Sequence, residues 1–140
     1  MNRAEYRQVA LARLTDARTL LRARRYDGAY YLAGYVVECA LKACIARQFR
    51  VATIPDPRLV SEIYRRGHEL PALARLAGLE FAITAEARRD GQFGSSWVTV
   101  QRWTADSRYE VGRARVQAQN LYDSVADPSH GVLRWLKQHW

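Results

Sequence analysis

The sequence predicts an all-α fold: an up-and-down antiparallel helical bundle with short extra helices in its crossover and a short C-terminal helix. Three observations predict it. Residues 3–25 place Tyr6, Val9, Ala10, Leu14, Ala17, Leu20 and Leu21 at three- and four-residue spacing, the stripe of an amphipathic helix. Residues 29–46 are almost continuously apolar. A third stripe, Val111, Ala114, Ala118, Leu121, Tyr122 and Val125, recurs near the other end. The 140 residues fit one domain, residues 1–140, large enough to bury about two-thirds of the surface its unfolded chain would expose.

Asp27-Gly28 interrupts the first stripe, and Asp27 can cap a second helix running to about Phe49. So short a link between two long helices implies a hairpin. Pro55 and Pro57 make 51–57 a loop, because each disfavours helix at the residue before it. Short helices are expected at 58–66, 70–77 and 82–90, with Gly67, Pro71 and Gly78 between them. The glycines and serines of 91–96 read as a flexible break, and 97–103, with Trp97 and Trp103, as a semi-extended connector folded over the bundle. Ser107 and Glu110 have capping-box spacing, so the last long helix is expected to start there. Pro128–Gly131 ends it, and a terminal helix follows at 132–139.

Within the apolar second helix stand two charges, Glu38 and Lys42, four residues apart with the acid nearer the N-terminus. That order and spacing favour an intrahelical pair. In apolar surroundings each charge needs the other, so the two are expected to face inward as a polar seam, with Tyr30, Tyr31 and Tyr35 around it. The same two charges fall at the centre of the one candidate membrane span, which favours a core helix and no membrane.

Cys39 and Cys44 lie on that helix, about 140° and ~7.5 Å apart, too far for a disulfide. They read as reduced, buried small hydrophobes of a cytoplasmic protein with no secretory signal. The formal charge is +8, and residues 1–50 alone hold ten basic and four acidic groups. Such a bias suits a polyanionic partner, RNA or a nucleotide. No Walker loop, Rossmann glycine pattern, HExxH or paired-carboxylate signature appears, so neither a cofactor nor a metal site is expected. Two indoles in one connector point to leftover apolar surface and a two-fold homodimer.

Tyr26, Asp27, Ala29, Tyr31, Leu32, Tyr35, Val37, Glu38, Leu41, Lys42 and Ala43 form a run that resembles the second helix of HEPN domains, small all-helical nucleotide-binding proteins. Fainter echoes are His68-Glu69-Leu70 with Leu73, and Trp103 followed by Ser107-Arg108-Tyr109, so the likeness spans roughly residues 5 to 125. The resemblance implies an RNA- or nucleotide-binding surface at Arg108, Tyr109, Lys42, Glu38, Tyr31 and Tyr35. It also implies a separately encoded nucleotidyltransferase partner in a toxin–antitoxin or defence module. Many members of the family are metal-independent ribonucleases that pair an Arg with a His four to six residues later, the guanidinium offsetting phosphate charge and the imidazole moving the proton. Arg108 matches that arginine, but Arg113, Ala114 and Arg115 stand where the His belongs. The literal spacing occurs once elsewhere, at Arg134 and His139. Three functions therefore stand side by side: binding component, ribonuclease toxin with an atypical base, and non-catalytic scaffold.

Overall fold

The computed structural model describes residues 1–48, 58, 61, 65 and 68–140. Helix α1 (Arg3–Arg22) begins at a reciprocal cap, in which the Asn2 side chain accepts from the Glu5 N–H while the Glu5 carboxylate accepts from the Asn2 N–H. It stops three residues earlier than expected, and Arg24 then takes a left-handed backbone, φ 61°. The three-residue link returns the chain along α1 as α2 (Tyr26–Gln48), the antiparallel hairpin that the sequence predicts.

Helix α2 is the hub of the molecule. Thirteen of its residues are buried, from Ala29 to Ala46, and among the described residues every other helix except Glu80–Arg89 and Gly91–Gln101 packs on it. Burying side chains such as Leu41 and Ile45 stabilises the fold by roughly 1.5–3 kcal/mol each. It is long and apolar enough to cross a membrane, with a mean hydropathy of 1.3 in its best window, but 72% of that window is buried among the other helices.

The expected loop 51–57 and most of the expected helix 58–66 lie outside the described residues; Arg58, Ser61 and Arg65 are helical. Helices α3 (Leu70–Leu76) and α4 (Glu80–Arg89) follow close to their expected positions.

The next segment departs from expectation. Residues Gly91–Gln101 form a helix, α5, where the glycines and serines suggested a break and a connector. Tertiary structure overrides weak local propensity here. The Asp90 carboxylate accepts from the N–H groups of Gln92 and Phe93, and Phe93 and Val100 are buried on one face. Gly94 also lets α5 sit close on Ala87 of α4.

The last long helix starts later than the sequence suggests. Ala105–Tyr109 is a 3-10 turn, not a first helical turn, and the Ser107 hydroxyl is buried without a partner instead of capping. An extended segment follows, in which Val111 is 90% exposed, and helix α6 runs Arg115–Ala126. Asp27 explains the delay. It lies inside the first turn of α2 rather than before it, and its carboxylate accepts from the N–H groups of Gly112 and Arg113. Those two bonds tie the extended segment to the start of α2.

A turn at Pro128–His130 leads into α7 (Val132–Leu136), shorter than the expected 132–139. The terminal residues dock on the first hairpin: the Arg3 guanidinium donates to the Trp140 carbonyl and Arg47 to that of Gln138. Trp135 is buried against Phe93 of α5.

A candidate nucleic-acid interface along the second helix

Tyr31, Tyr35, Glu38, Cys39 and Lys42 recur at three- and four-residue intervals, so they share one stripe of α2. At one end, Glu38 is 1% exposed and accepts from Lys42 Nζ at 2.7 Å, the inward-facing pair that the spacing predicts. A third member joins them. His68 Nδ1 lies 3.1 Å from both oxygens of Glu38, while its side chain is 53% exposed. Glu38 therefore orients the ring of a histidine that still reaches solvent. The sequence contained that histidine, but nothing in its spacing linked it to a residue thirty positions earlier.

Farther along the stripe the chemistry turns aromatic. Tyr35 stacks on Tyr31 at 6.1 Å, and Tyr31 on Trp103 at 6.0 Å. Trp103 is buried and occupies a seat made by Gly34, where a Cβ would fall inside the indole. Burial holds the Tyr35 hydroxyl in its protonated form, well above the ordinary tyrosine range, with Cys39 beside it. Burial likewise pushes the Cys39 thiol up to about 11 and that of Cys44 up to about 12, so both are free, inert thiols.

Arg108 closes this end. It projects from the 3-10 turn, which packs on α2, and lies 4.9 Å from the centre of the Tyr109 ring. The hydroxyls of Tyr109 and Tyr31 hold its guanidinium protonated above the ordinary arginine value. No carboxylate pairs with it among the described residues: Glu110 is taken by Arg113, and Glu38 by Lys42 and His68. Tyr109 is 75% exposed. The arrangement is an unpaired cation framed by aromatic rings, which can hold a phosphate while a base stacks beside it.

Residues 4–126 match the sequence model of the HEPN domain. The chain belongs to the HEPN family. No curated protein and no solved structure matches it. The matched span covers α1 to α6 and leaves out α7, so the α2 stripe and Arg108 fall inside the family region while Arg134 and His139 fall beyond it.

Arg134 and His139 face different neighbours. The Arg134 charge lies near Glu86 and Asp127. His139 packs on Trp135 at 4.3 Å and shares a pocket with Arg47, and burial lowers its proton affinity below the usual histidine value. The HEPN domain thus brings Arg108, Tyr109, Tyr31 and Tyr35 together at one end of the stripe and Glu38 and Lys42 at the other. Among the described residues, no group of three or more His, Cys, Asp or Glu is placed to hold a metal ion.

Proposed function

We propose that this HEPN domain binds RNA or a nucleotide along the α2 stripe, as a homodimer and as the HEPN half of a toxin–antitoxin or defence pair with a nucleotidyltransferase. Family membership supports the nucleotide- or RNA-related role. The single observation that carries the choice of surface is Arg108, set among Tyr109 and Tyr31 with no carboxylate partner among the described residues. Phosphate neutralisation by the arginine and stacking on the tyrosines act together, as in sequence-tolerant single-strand binding. Tyr109, Val111 and Val116 are large apolar side chains left exposed on the segment that follows that cation, which supports the dimer.

RNA titration at several salt concentrations tests the reading. Affinity is expected to fall steeply with salt, because each neutralised phosphate releases counterions, and Arg108→Ala is expected to weaken binding and flatten the slope. Salt-insensitive failure to bind any RNA or nucleotide leaves only the scaffold. Light scattering at tens of micromolar reads the dimer, and a monomer mass removes that part of the reading.

One observation favours a second reading, the ribonuclease. The Glu38–His68 contact places a carboxylate on Nδ1 and leaves Nε2 as the ring nitrogen able to take a proton from a ribose hydroxyl. In that reading His68 supplies the base absent at positions 113–115, and Arg108 supplies charge. Metal-independent formation of 2′,3′-cyclic phosphate ends, abolished by His68→Ala and retained in His139→Ala, would promote it over simple binding.

A further inference from the structure

A second cationic site stands apart from the α2 stripe and shares no residue with it. Arg18 and Arg22 on the last turns of α1, Arg24 in the link and Arg115 at the start of α6 converge on one groove of about 570 Å³. Among the described residues, no carboxylate lines it. Four other arginines are paired with acids, in Arg13–Asp16, Arg75–Glu80, Arg89–Glu86 and Arg113–Glu110. None of the four groove arginines makes an ion pair among the described residues.

Local structure does not account for the cluster. The C-terminal end of a helix dipole favours Arg22, but Arg115 is the first residue of a twelve-residue helix, where the dipole opposes a cation. The first turn of α6 carries no acidic side chain, and its one side-chain cap is the neutral amide of Gln117, which accepts from the Ala114 N–H and brings no charge to offset the arginine. Arg24 takes its place with φ 61°, a backbone region that favours glycine. Four like charges held together in this way are relieved by an anion between them. A single phosphate group carries about −1.5 to −2 charges, so four guanidiniums are balanced by two or more linked phosphates. The half-buried rings of Tyr26 and Tyr122 wall the groove and give a flat apolar surface next to the charge.

We propose that this groove binds the oligophosphate part of a ligand, a chain of two or three linked phosphates. Such a chain occurs on a free nucleoside triphosphate and on the 5′ end of a triphosphorylated RNA. The inference does not rest on the Arg108 reading. Isothermal titration with inorganic tripolyphosphate and with orthophosphate tests it on the full chain. Tripolyphosphate is expected to bind at least about tenfold more tightly. The double variant Arg22→Gln/Arg115→Gln is expected to lose at least about tenfold of that affinity, and Arg88→Gln on α4 to keep it. Circular dichroism of each variant shows that it is folded. ATP and a 5′-triphosphorylated oligonucleotide, compared with AMP and a 5′-hydroxyl oligonucleotide, then tell which source the groove prefers. Equal affinity for the two inorganic probes, or tripolyphosphate binding as in the wild type by the folded double variant, would overturn the proposal. Failure of the Arg108 reading shows differently, as RNA binding by Arg108→Ala at wild-type strength.

Discussion

The α2 seam and the arginine groove use charge in opposite ways. In the seam, a carboxylate that is 1% exposed has Lys42 and His68 within 3.1 Å, and its surroundings are packed helix. In the groove, four arginines gather with no acid among them in the described residues. A buried charge must be satisfied by the protein itself, since water cannot reach it. An exposed charge can be left for something else to satisfy. The seam is thus part of what holds the bundle in register, and the groove is a place to look for a ligand.

Breaking the seam should have the largest effect on stability. Glu38→Ala leaves the mostly buried Lys42 without its partner, and Lys42→Met leaves a buried carboxylate with His68 alone. Each is expected to cost ~3–5 kcal/mol, read from chemical denaturation. An unchanged transition midpoint for Lys42→Met would mean that the pair contributes no more than a surface ion pair does.

The contrast also decides what could be read from sequence. Glu38 and Lys42 lie on one helix at a fixed spacing, so their pairing was legible without knowing anything else about the fold. The run around them, Tyr26 to Ala43, was enough to suggest the family as well. His68 joins the same cluster across the interval between α2 and α3, and no periodicity connects the two. The groove was invisible for a related reason. Its arginines come from the end of α1, the following link and the start of α6, and the expected start of α6 was eight residues too early. With the helix begun at Ser107, Arg115 would have been an interior residue and Arg108 the cation opposing the dipole. Asp27 has the residue type and position of a cap, but it binds the segment that delays the helix. The residues of Gly91–Ser96 suggest a break because their helix depends on Asp90 and on packing against α4, neither of which local propensity contains.

The aromatic end of the stripe is the next most sensitive place. Gly34→Ala puts a methyl group into the space of the Trp103 ring, which is buried and fixed by Tyr31. Overpacking of this kind is expected to cost about 1–3 kcal/mol, and the indole must leave its seat. Trp103 fluorescence, isolated by replacing the other three tryptophans with Phe, should shift toward that of a solvated indole. A Gly34→Ala protein with unchanged fluorescence and stability would show that the seat is looser than the packing implies.

A smaller effect follows from pH, at a site away from both charged regions. His130 Nδ1 lies 2.7 Å from the Asp90 carboxylate, and this contact, with the Phe93 and Gln92 N–H groups, holds the Asp90 pKa below its ordinary 3.8. The N–H groups of His130 and Ser129 lower Asp127 in the same way. A carboxyl lowered on folding contributes stability above its unfolded pKa, and the contribution disappears as pH falls through the folded value. Amide exchange at Gln92, Phe93, Ser129 and His130 should therefore accelerate together below about pH 4, where the start of α5 and the turn before α7 loosen. His139 acts at higher pH. Burial lowers its pKa from 6.5, so its contribution is present above that value and declines as pH falls. His139→Gln should remove this decline below about pH 6.5, and an identical pH profile in the variant would assign the decline to another group.

The groove should give the smallest change in stability, and its sign is the informative part. Neutralising Arg22 or Arg115 removes no ion pair and no buried contact, because both side chains are exposed and without acidic partners among the described residues. It also reduces repulsion within the cluster, and at Arg115 it removes a cation from an unfavourable end of a helix dipole. The unliganded Arg115→Gln protein is therefore expected to melt at or slightly above the wild-type temperature at low ionic strength. The difference should shrink as salt screens the repulsion. Charges placed to stabilise the fold would give the opposite sign: a lower melting temperature in the variant, most marked at low salt. A drop of that kind at Arg115, comparable with that of Lys42→Met, would erase the distinction between the two regions and make the groove arginines part of the structural network.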